Sequence, residues 1–380
     1  MNNLASERHL QAIANKAANL LLPFSWKVWF WGDNVGFEGL LDTSELTGVG
    51  RYSGFVYGVF KGWLARESFR SEFDYNAPGV ALLRVYQQTG DENLFSAAKR
   101  HADYLSRFRR TESGAYMRYE NAAFELPPEL PSDHTDAFAA EQLRSQVKDG
   151  GPCIFVDSMH VEGPFFAKMH QITGDEFYRQ LALQSISSQV DLLFDPAKEL
   201  FNHFWIEQTR SPNGVFWGRG NCWGLLGLVE TLDHLPENDP EIKPLQGILV
   251  RVVERMAQLQ ESNGGWHTVL DDPSSYVETS IPAFMVAVLA RSMMRSWIEP
   301  SRYEPVMESA MSFVLDHVRD DGLLEGVSFE TFPSMRLEHY RTLSLNGMVP
   351  WGQGALLVAL KAYADLHGIN QFNGKRIGEK

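Results

Sequence analysis

Residues 45–60 read ELTGVGRYSGFVYGVF, residues 87–105 read QQTGDENLFSAAKRHADYL, and residues 171–190 read QITGDEFYRQLALQSISSQV. The three stretches carry one phrase. Thr47, Thr89 and Thr173 lie 42 and 84 residues apart, and each is followed by a Gly where an amphipathic pattern stops and another begins. Gly just past the last periodic residue is a helix stop, and Asp91–Glu92 and Asp175–Glu176 supply the acidic first turn that favours a new helix start. The phrase therefore marks a helix-hairpin joint used repeatedly. The 84-residue interval leaves room for one further hairpin without the phrase. The later joints at DHLPENDP (233–240) and WIEPSRYEP (297–305) use Pro as the breaker.

Helical periodicity, with apolar residues on one face, recurs over 76–88, 92–108, 158–172, 176–193, 222–232, 242–261, 278–296, 304–318 and 353–366. Two or three helices before residue 70 bring the total to about twelve, or six hairpins. Short β-like pieces such as GGPCIF sit in loops, with no βαβ alternation. The pattern predicts an all-α chain whose six sequential helical hairpins close into an (α/α)6 barrel. It would form one domain over residues 1–380, with a polar tail from about residue 368. An open solenoid is the alternative, but Trp-, Gly- and charge-rich loops at every other turn favour closure around a mouth.

The chain has 380 residues, longer than the ~250–300 that one ordinary core supports, and a ring of inner and outer helices with a layered core resolves that difficulty. With 34 Lys and Arg against 48 Asp and Glu, the net charge is −14 and no basic run occurs. Nucleic acid is therefore not an expected partner. Cys153 and Cys222 are too few for a disulfide framework and lack zinc-site spacing. The first residues read as an amphipathic helix and not as a signal peptide. The best apolar run, 281–290, is half the ~20 residues of a membrane span. A soluble, cytoplasmic protein without membrane contact is expected, and the sequence leaves its oligomeric state open.

The densest candidate site is FWGRGNCWGLLGLVETLDHLP from Phe216. Trp217, Arg219, Asn221 and Trp223 alternate with small residues at a helix start, a composition suited to a charged sugar. Indoles can stack on pyranose C–H faces and Arg can grip a carboxylate at two points. The competing reading wedges the indoles between helices and pairs Arg219 with an internal acid. A second segment, from Gly150, places Asp157 between an apolar run and a helix; Phe155, Val156 and Met159 offer the low polarity that keeps a carboxyl protonated near neutrality. Asp157 could equally be a helix cap. Asp74, in EFDYNAPGVALLRVY, holds a similar position earlier in the chain. Two carboxylates across one mouth would form an acid/base pair. His203 in LFNHFW, the cluster Trp266, His267, Asp271, Asp272, Tyr276 and Glu278, and Trp351 with Gln353 at a late helix start are further candidates. No metal-ligand spacing, nucleophile elbow or phosphate loop occurs.

Together these segments resemble the unsaturated uronyl hydrolases of glycoside hydrolase families 88 and 105, most closely the unsaturated rhamnogalacturonyl hydrolase branch. Asp157 in FVDSMHVEGPFFAKM looks like the catalytic Asp of that family's Trp-x-Asp segment. WGRGNCW looks like its Trp-Gly-Arg-Gly-Asn-Gly-Trp loop, and DDPSSYVETS and PWGQGALL follow in the expected order. Phe155 stands where the family usually has Trp, and Cys222 where it usually has Gly. The resemblance implies an (α/α)6 barrel that hydrates the C4=C5 bond of an unsaturated uronic acid at the end of a lyase-generated oligosaccharide. It implies Asp157 as the acid and Asp74 as its partner. His203 and Arg219 would recognise the uronate or polarise water, and Trp217, Trp223, Phe155 and Trp351 would line the sugar site. No cofactor or metal is implied. A sugar epimerase with paired histidines on the same barrel, and a non-catalytic carbohydrate-binding barrel, are the alternatives.

Overall fold

The computed structural model describes residues 7–26, 32–65, 79–117, 152–345 and 347–369. Twelve long helices occur among the described residues: α1 (Glu7–Leu21), α2 (Asp33–Thr47), α3 (Arg51–Leu64), α4 (Gly79–Thr89), α5 (Glu92–Ser106), α6 (Glu162–Thr173), α7 (Glu176–Leu193), α8 (Gly218–His234), α9 (Lys243–Gln258), α10 (Ser280–Met294), α11 (Pro300–Asp316) and, after the short α12 (Leu337–Arg341), α13 (Pro350–Leu366).

Two kinds of helix alternate. α1 buries Leu10, Ala14, Ala17, Ala18 and Leu21, and α9 buries Leu245, Leu249, Val252, Val253 and Met256. These are single stripes at helical spacing, as expected of helices with one face in solvent. By contrast, every residue from Gly218 to Leu232 in α8, from Ser280 to Ala290 in α10 and from Pro350 to Leu360 in α13 is buried. Helices buried all round must lie inside others. The inner helices pack in a closed order, α2 on α4, α4 on α6, α6 on α8, α8 on α10, α10 on α13, and α13 back on α2. The chain is thus an (α/α)6 barrel, with α1, α3, α5, α7, α9 and α11 outside. Among the described residues α4 packs directly on α6, and α5 and α6 are the long helices of the interval between Thr89 and Thr173. Its described part after α5 holds strand β1 (Cys153–Phe155) and a 3₁₀ helix, Val156–His160.

The repeated phrase is the joint from an inner helix to the next outer one. Gly48, Gly90 and Gly174 adopt φ of 70°, 68° and 70°, a left-handed conformation that Gly takes without a Cβ penalty. Their N–H groups donate to Ser44 O, Tyr86 O and His170 O. The threonines before them close the last turn, with Oγ1 donating to Thr43 O, Val85 O and Met169 O. Asp91 and Asp175 then cap α5 and α7 by accepting from Asn93 N and Phe177 N.

Since each outer helix runs back along its inner partner, the inner helices all begin at one end of the barrel. The short joints lie at the other end. The long connections, including 194–217, 259–279 and 317–349, gather where the inner helices begin. There β4 (Phe204–Ile206) pairs antiparallel with β1 and with β5 (Ser211–Pro212), and β2 (Phe194–Asp195) pairs with β3 (Leu200–Phe201). The short-joint end holds a cavity of about 640 Å³ whose lining includes Asp42, Arg84, Glu230 and Arg291. These charges are committed to one another, Arg84 to Asp42 and Arg291 to Glu230, each at 2.7 Å. Among the described residues no helix is long and apolar enough to cross a membrane.

Candidate active site

Strand pairing brings the first two candidates together. Phe155 in β1 stands opposite Phe204 in β4, and the Val156 N–H donates to the His203 carbonyl at 3.0 Å. Asp157, next along the 3₁₀ helix, therefore faces His203, with Asp157 Oδ2 3.7 Å from His203 Nε2. The 3₁₀ helix is held from three sides. Ser158 Oγ donates to Phe155 O, Gln189 Nε2 of α7 donates to Ser158 Oγ at 3.0 Å, and Gly227 of α8 lies underneath. A Cβ on Gly227 would stand 2.2 Å from Met159 O, so only Gly lets α8 approach this closely.

His203 is enclosed. Its ring packs against Trp217 at 4.6 Å, Tyr340 at 5.6 Å and Phe155 at 6.1 Å between centroids. Its Nδ1 lies 2.7 Å from Tyr340 Oη. Burial, reinforced by His339 and Arg219, holds the His203 pKa well below its usual value. The imidazole is therefore neutral at physiological pH and cannot offer a cation to a uronate. Asp157 is the one member of this group whose side chain keeps a sizeable exposure, 16% against 2% for His203. It is also not a conventional α-helix cap, because a complete 3₁₀ turn separates it from α6.

Trp217 caps the start of α8 without a side-chain hydrogen bond, its strand-like neighbours being tied to the next long loop: Gly218 N donates to Thr268 O at 2.8 Å and Leu270 N to Phe216 O at 2.9 Å. Arg219, the second residue of α8, has no exposed surface. Its Nη1 donates to Glu278 Oε1 at 3.0 Å and to Ser328 Oγ at 2.6 Å, and its Nη2 donates to Phe329 O at 2.8 Å and Thr331 Oγ1 at 2.9 Å. The expected two-point grip on a substrate carboxylate is not what this geometry provides, because internal acceptors occupy both terminal nitrogens. The guanidinium instead lies between indoles, 4.9 Å from Trp217 and 5.8 Å from Trp351. Trp223 also departs from its expected place as a sugar platform. It points down the barrel, its ring 5.1 Å from His160 and 4.6 Å from Phe284, and it is 1% exposed.

The remaining candidates divide. Phe155 and Trp351 lie at the same end as Asp157, and Trp351 Nε1 donates to Ser328 O at 3.0 Å. Gln353 accepts from Leu324 N and donates to Gly322 O, which makes it a loop clasp. His267 is bound to Ser275 O and Glu261, Asp271 to Lys198, and Asp272 to Arg341, whose guanidinium holds the Asp272 carboxyl at about 2. Trp266 is fully buried, donating to Met256 O, and Tyr276 is largely buried beside Glu278. Asp74 lies outside the described residues.

Beneath the 3₁₀ helix, its last residue, His160, meets two acids that sequence reasoning passed over. His160 Nε2 lies 3.1 Å from Glu230 Oε2 and 3.4 Å from Glu38 Oε2, all buried. Burial alone would depress the His160 pKa, but the two carboxylates overcome it and push it up to about 10. Arg84 holds Asp42 and Glu45, Arg291 holds Glu230, and burial together with Glu230 raises the Glu38 pKa. The available signal was Glu230, an acid inside the apolar run LLGLVETL. Tyr340, the residue that holds His203, carried no such signal, because its contact spans 137 residues of sequence.

Comparison with known proteins places the chain. The model of Glycosyl Hydrolase Family 88 matches residues 6–366. The chain is 26% identical over 338 residues to the unsaturated rhamnogalacturonyl hydrolase YesR of Bacillus subtilis (strain 168), covering 87% of this chain and 88% of that protein. It is 25% identical over 178 residues to an unsaturated 3S-rhamnoglycuronyl hydrolase of Alteromonas sp. (strain LOR), covering 46% of this chain and 43% of that one. Among solved structures, a possible GH105 member from Salmonella enterica superposes with a TM-score of 0.82 at 21% identity, over 97% of this chain and 96% of that chain. The unsaturated glucuronyl hydrolase of Bacillus sp. GL1 superposes with a TM-score of 0.66 at 19% identity, over 92% and 94%. The structural likenesses speak to the barrel.

Proposed function

The chain belongs to Glycosyl Hydrolase Family 88, and from that premise we propose that it removes a 4,5-unsaturated uronic acid from the non-reducing end of lyase-generated oligosaccharides. The observation that carries the site assignment is the pair Asp157 and His203, 3.7 Å apart and set side by side by the β1–β4 pairing. Asp157 is the partly exposed acid of that pair at the end of the barrel where the long loops meet.

In the proposed reaction, Asp157 in its protonated form gives its proton to C4 of the vinyl ether, and positive charge develops at C5 and the ring oxygen. Water adds at C5 and loses a proton to the Asp157 carboxylate, restoring the acid. The resulting hemiketal opens by breaking the C5–O5 bond, leaving a ketone at C5 and a hemiacetal at C1, and the hemiacetal collapses to an aldehyde as its hydroxyl proton is lost and the glycosidic oxygen is protonated, which releases the rest of the oligosaccharide. Acid, base and water balance the cycle, so no cofactor is assigned. This differs from the usual glycosidase arrangements, which attack the anomeric carbon with two separated carboxylates. Inner helices α6, α8, α10 and α13 begin at this end of the barrel, and the positive ends of their dipoles favour an anionic sugar there. Phe155 and Trp351 are assigned to the apolar wall, and Trp217, 1% exposed, to its backing against His203. Arg219 is assigned to holding that wall, and Asp74 remains the proposed second carboxylate.

The test follows the ultraviolet absorbance of the conjugated C=C–COO⁻ group. Wild type bleaches lyase-generated oligosaccharides, and Asp157→Asn does so at least ~10²-fold more slowly, as for loss of a positioned general acid. Retention of the chromophore with pectin-, glycosaminoglycan- and ulvan-derived substrates alike would remove the proposal. A saturated uronoside that is hydrolysed as fast would redirect it to an ordinary uronidase.

A further inference from the structure

Tyr340 enters the site from α12, a five-residue helix in the long 317–349 connection. Its side chain is fully buried, and its hydroxyl meets four groups: His203 Nδ1 at 2.7 Å, Ser334 O at 3.1 Å, Ser334 N at 3.3 Å and Asn213 Nδ2 at 3.3 Å. A phenol has one proton and two lone pairs. The Ser334 N–H and the Asn213 amide can only donate, so they take both lone pairs. The single proton must then serve either His203 Nδ1 or the Ser334 carbonyl. The Ser334 carbonyl already receives Asn213 Nδ2 at 3.2 Å. If the phenol proton went there as well, His203 would need to donate from Nδ1 into an oxygen with no lone pair left. The shortest contact, to Nδ1, is the one that leaves every donor with an acceptor.

We propose that Tyr340 is a positioning residue that donates its proton to His203 Nδ1 and so locks the imidazole in the form that carries its proton on Nε2, aimed at Asp157. This rests on the reading of Asp157 as the acid. Its consequence is specific. His203 cannot accept a proton at Nε2, so it is not the base that activates water; it is a fixed donor whose partner is the Asp157 carboxylate. At 3.7 Å the contact is longer than a hydrogen bond in the substrate-free protein. It gains strength when Asp157 loses its proton to C4, because a donor stabilises the charged form of a carboxylate. Stabilisation that grows as charge develops acts on the transition state more than on the bound substrate. The groups facing His203 are Asp157 from the 3₁₀ helix, Tyr340 and His339 from α12, and Arg219 from α8.

The proton position can be read without any substrate. In protein labelled with [15N]histidine, the His203 resonances among the 11 histidines are identified by their loss in His203→Gln. The expected result is Nε2 as the proton-bearing nitrogen and Nδ1 as the bare, hydrogen-bonded one. In Tyr340→Phe, which keeps the ring and removes the hydroxyl, proton occupancy shifts toward Nδ1. With the unsaturated oligosaccharide, kcat of that variant falls by roughly tenfold or more with KM little changed. The acid dependence of kcat moves to higher pH, because Asp157 loses its donor. A wild-type proton on Nδ1, or an Nε2 proton unchanged in Tyr340→Phe, overturns the proposal. Because the nitrogen assignment is independent of turnover, an inactive wild type with the expected tautomer would count against the function alone.

Discussion

At the scale of a single residue, Arg219 and Asp157 exchange the prominence that their sequence settings suggest. Arg219 sits in the most ligand-like stretch of the chain, yet its guanidinium is consumed by Glu278, Ser328, Phe329 and Thr331. Glu278 in turn accepts from Ser328 N at 2.9 Å and from Ser280 N at 3.1 Å. Removing one member of a buried, hydrogen-bonded pair leaves the other charge uncompensated, at a cost of about 3–5 kcal/mol. Glu278→Gln is therefore expected to lower the melting temperature sharply, as measured by calorimetry, while Asp157→Asn melts close to wild type and loses turnover. If Glu278→Gln melts like wild type, the pair is not a structural keystone. WGRGNCW reports only that Arg219 begins a helix near two indoles. Whether it is available depends on an acid 59 residues away.

At the scale of elements, two glycines with different reasons for being Gly give opposite expectations. Gly174 is left-handed, with φ 70° and open space around its absent Cβ. Gly174→Ala therefore adds only backbone strain, about 1 kcal/mol, and leaves the distant site untouched. Gly227 has ordinary helical geometry, but its missing Cβ makes room for Met159 O and His160 N, the backbone of the helix that carries Asp157. Gly227→Ala must push that helix away from α8. It is expected to cost roughly 1–3 kcal/mol or more and to depress kcat together with stability. Denaturant unfolding and turnover measured on both variants separate the two cases, and an active Gly227→Ala would show that the 3₁₀ helix can move without loss. The Thr-Gly joint is legible from sequence because all its partners lie within six residues. The Gly227 contact is invisible there, since it joins two elements separated by α6, α7 and the 194–217 connection.

At the scale of the whole molecule, the His160 clamp joins α2, the 3₁₀ helix and α8 through Glu38 and Glu230. Its folded-state pKa of about 10 lies above the ordinary 6.5. A group with a raised pKa stabilises the fold fully below its unfolded value and loses that contribution as pH rises toward the folded value. The barrel should therefore lose stability between about pH 6.5 and about pH 10. His203, buried and neutral, has the opposite sign: its contribution is complete above its unfolded pKa and is lost as pH falls below it. Melting temperatures across that alkaline range should decline in wild type and flatten in His160→Gln. A decline of equal slope in the variant would assign the effect elsewhere. The net charge of −14 adds no attraction for an anionic sugar, so binding is expected to depend on groups at the mouth and little on ionic strength.

The amino-acid sequence by itself determined the helix-hairpin joints, because helix periods, Gly stops and Asp caps act over a few residues and survive in any context. It also carried the family resemblance, since those motifs are contiguous. Only the tertiary structure decided which helices lie inside, which charged residues face one another, and what remains open to a ligand. Arg219 became a strut, Trp223 a packing residue and Tyr340 a support for His203 because hydrogen-bond satisfaction in a buried site is settled by neighbours far away in the chain. A buried guanidinium or phenol must spend its donors wherever folding brings acceptors, and no local pattern records where that is.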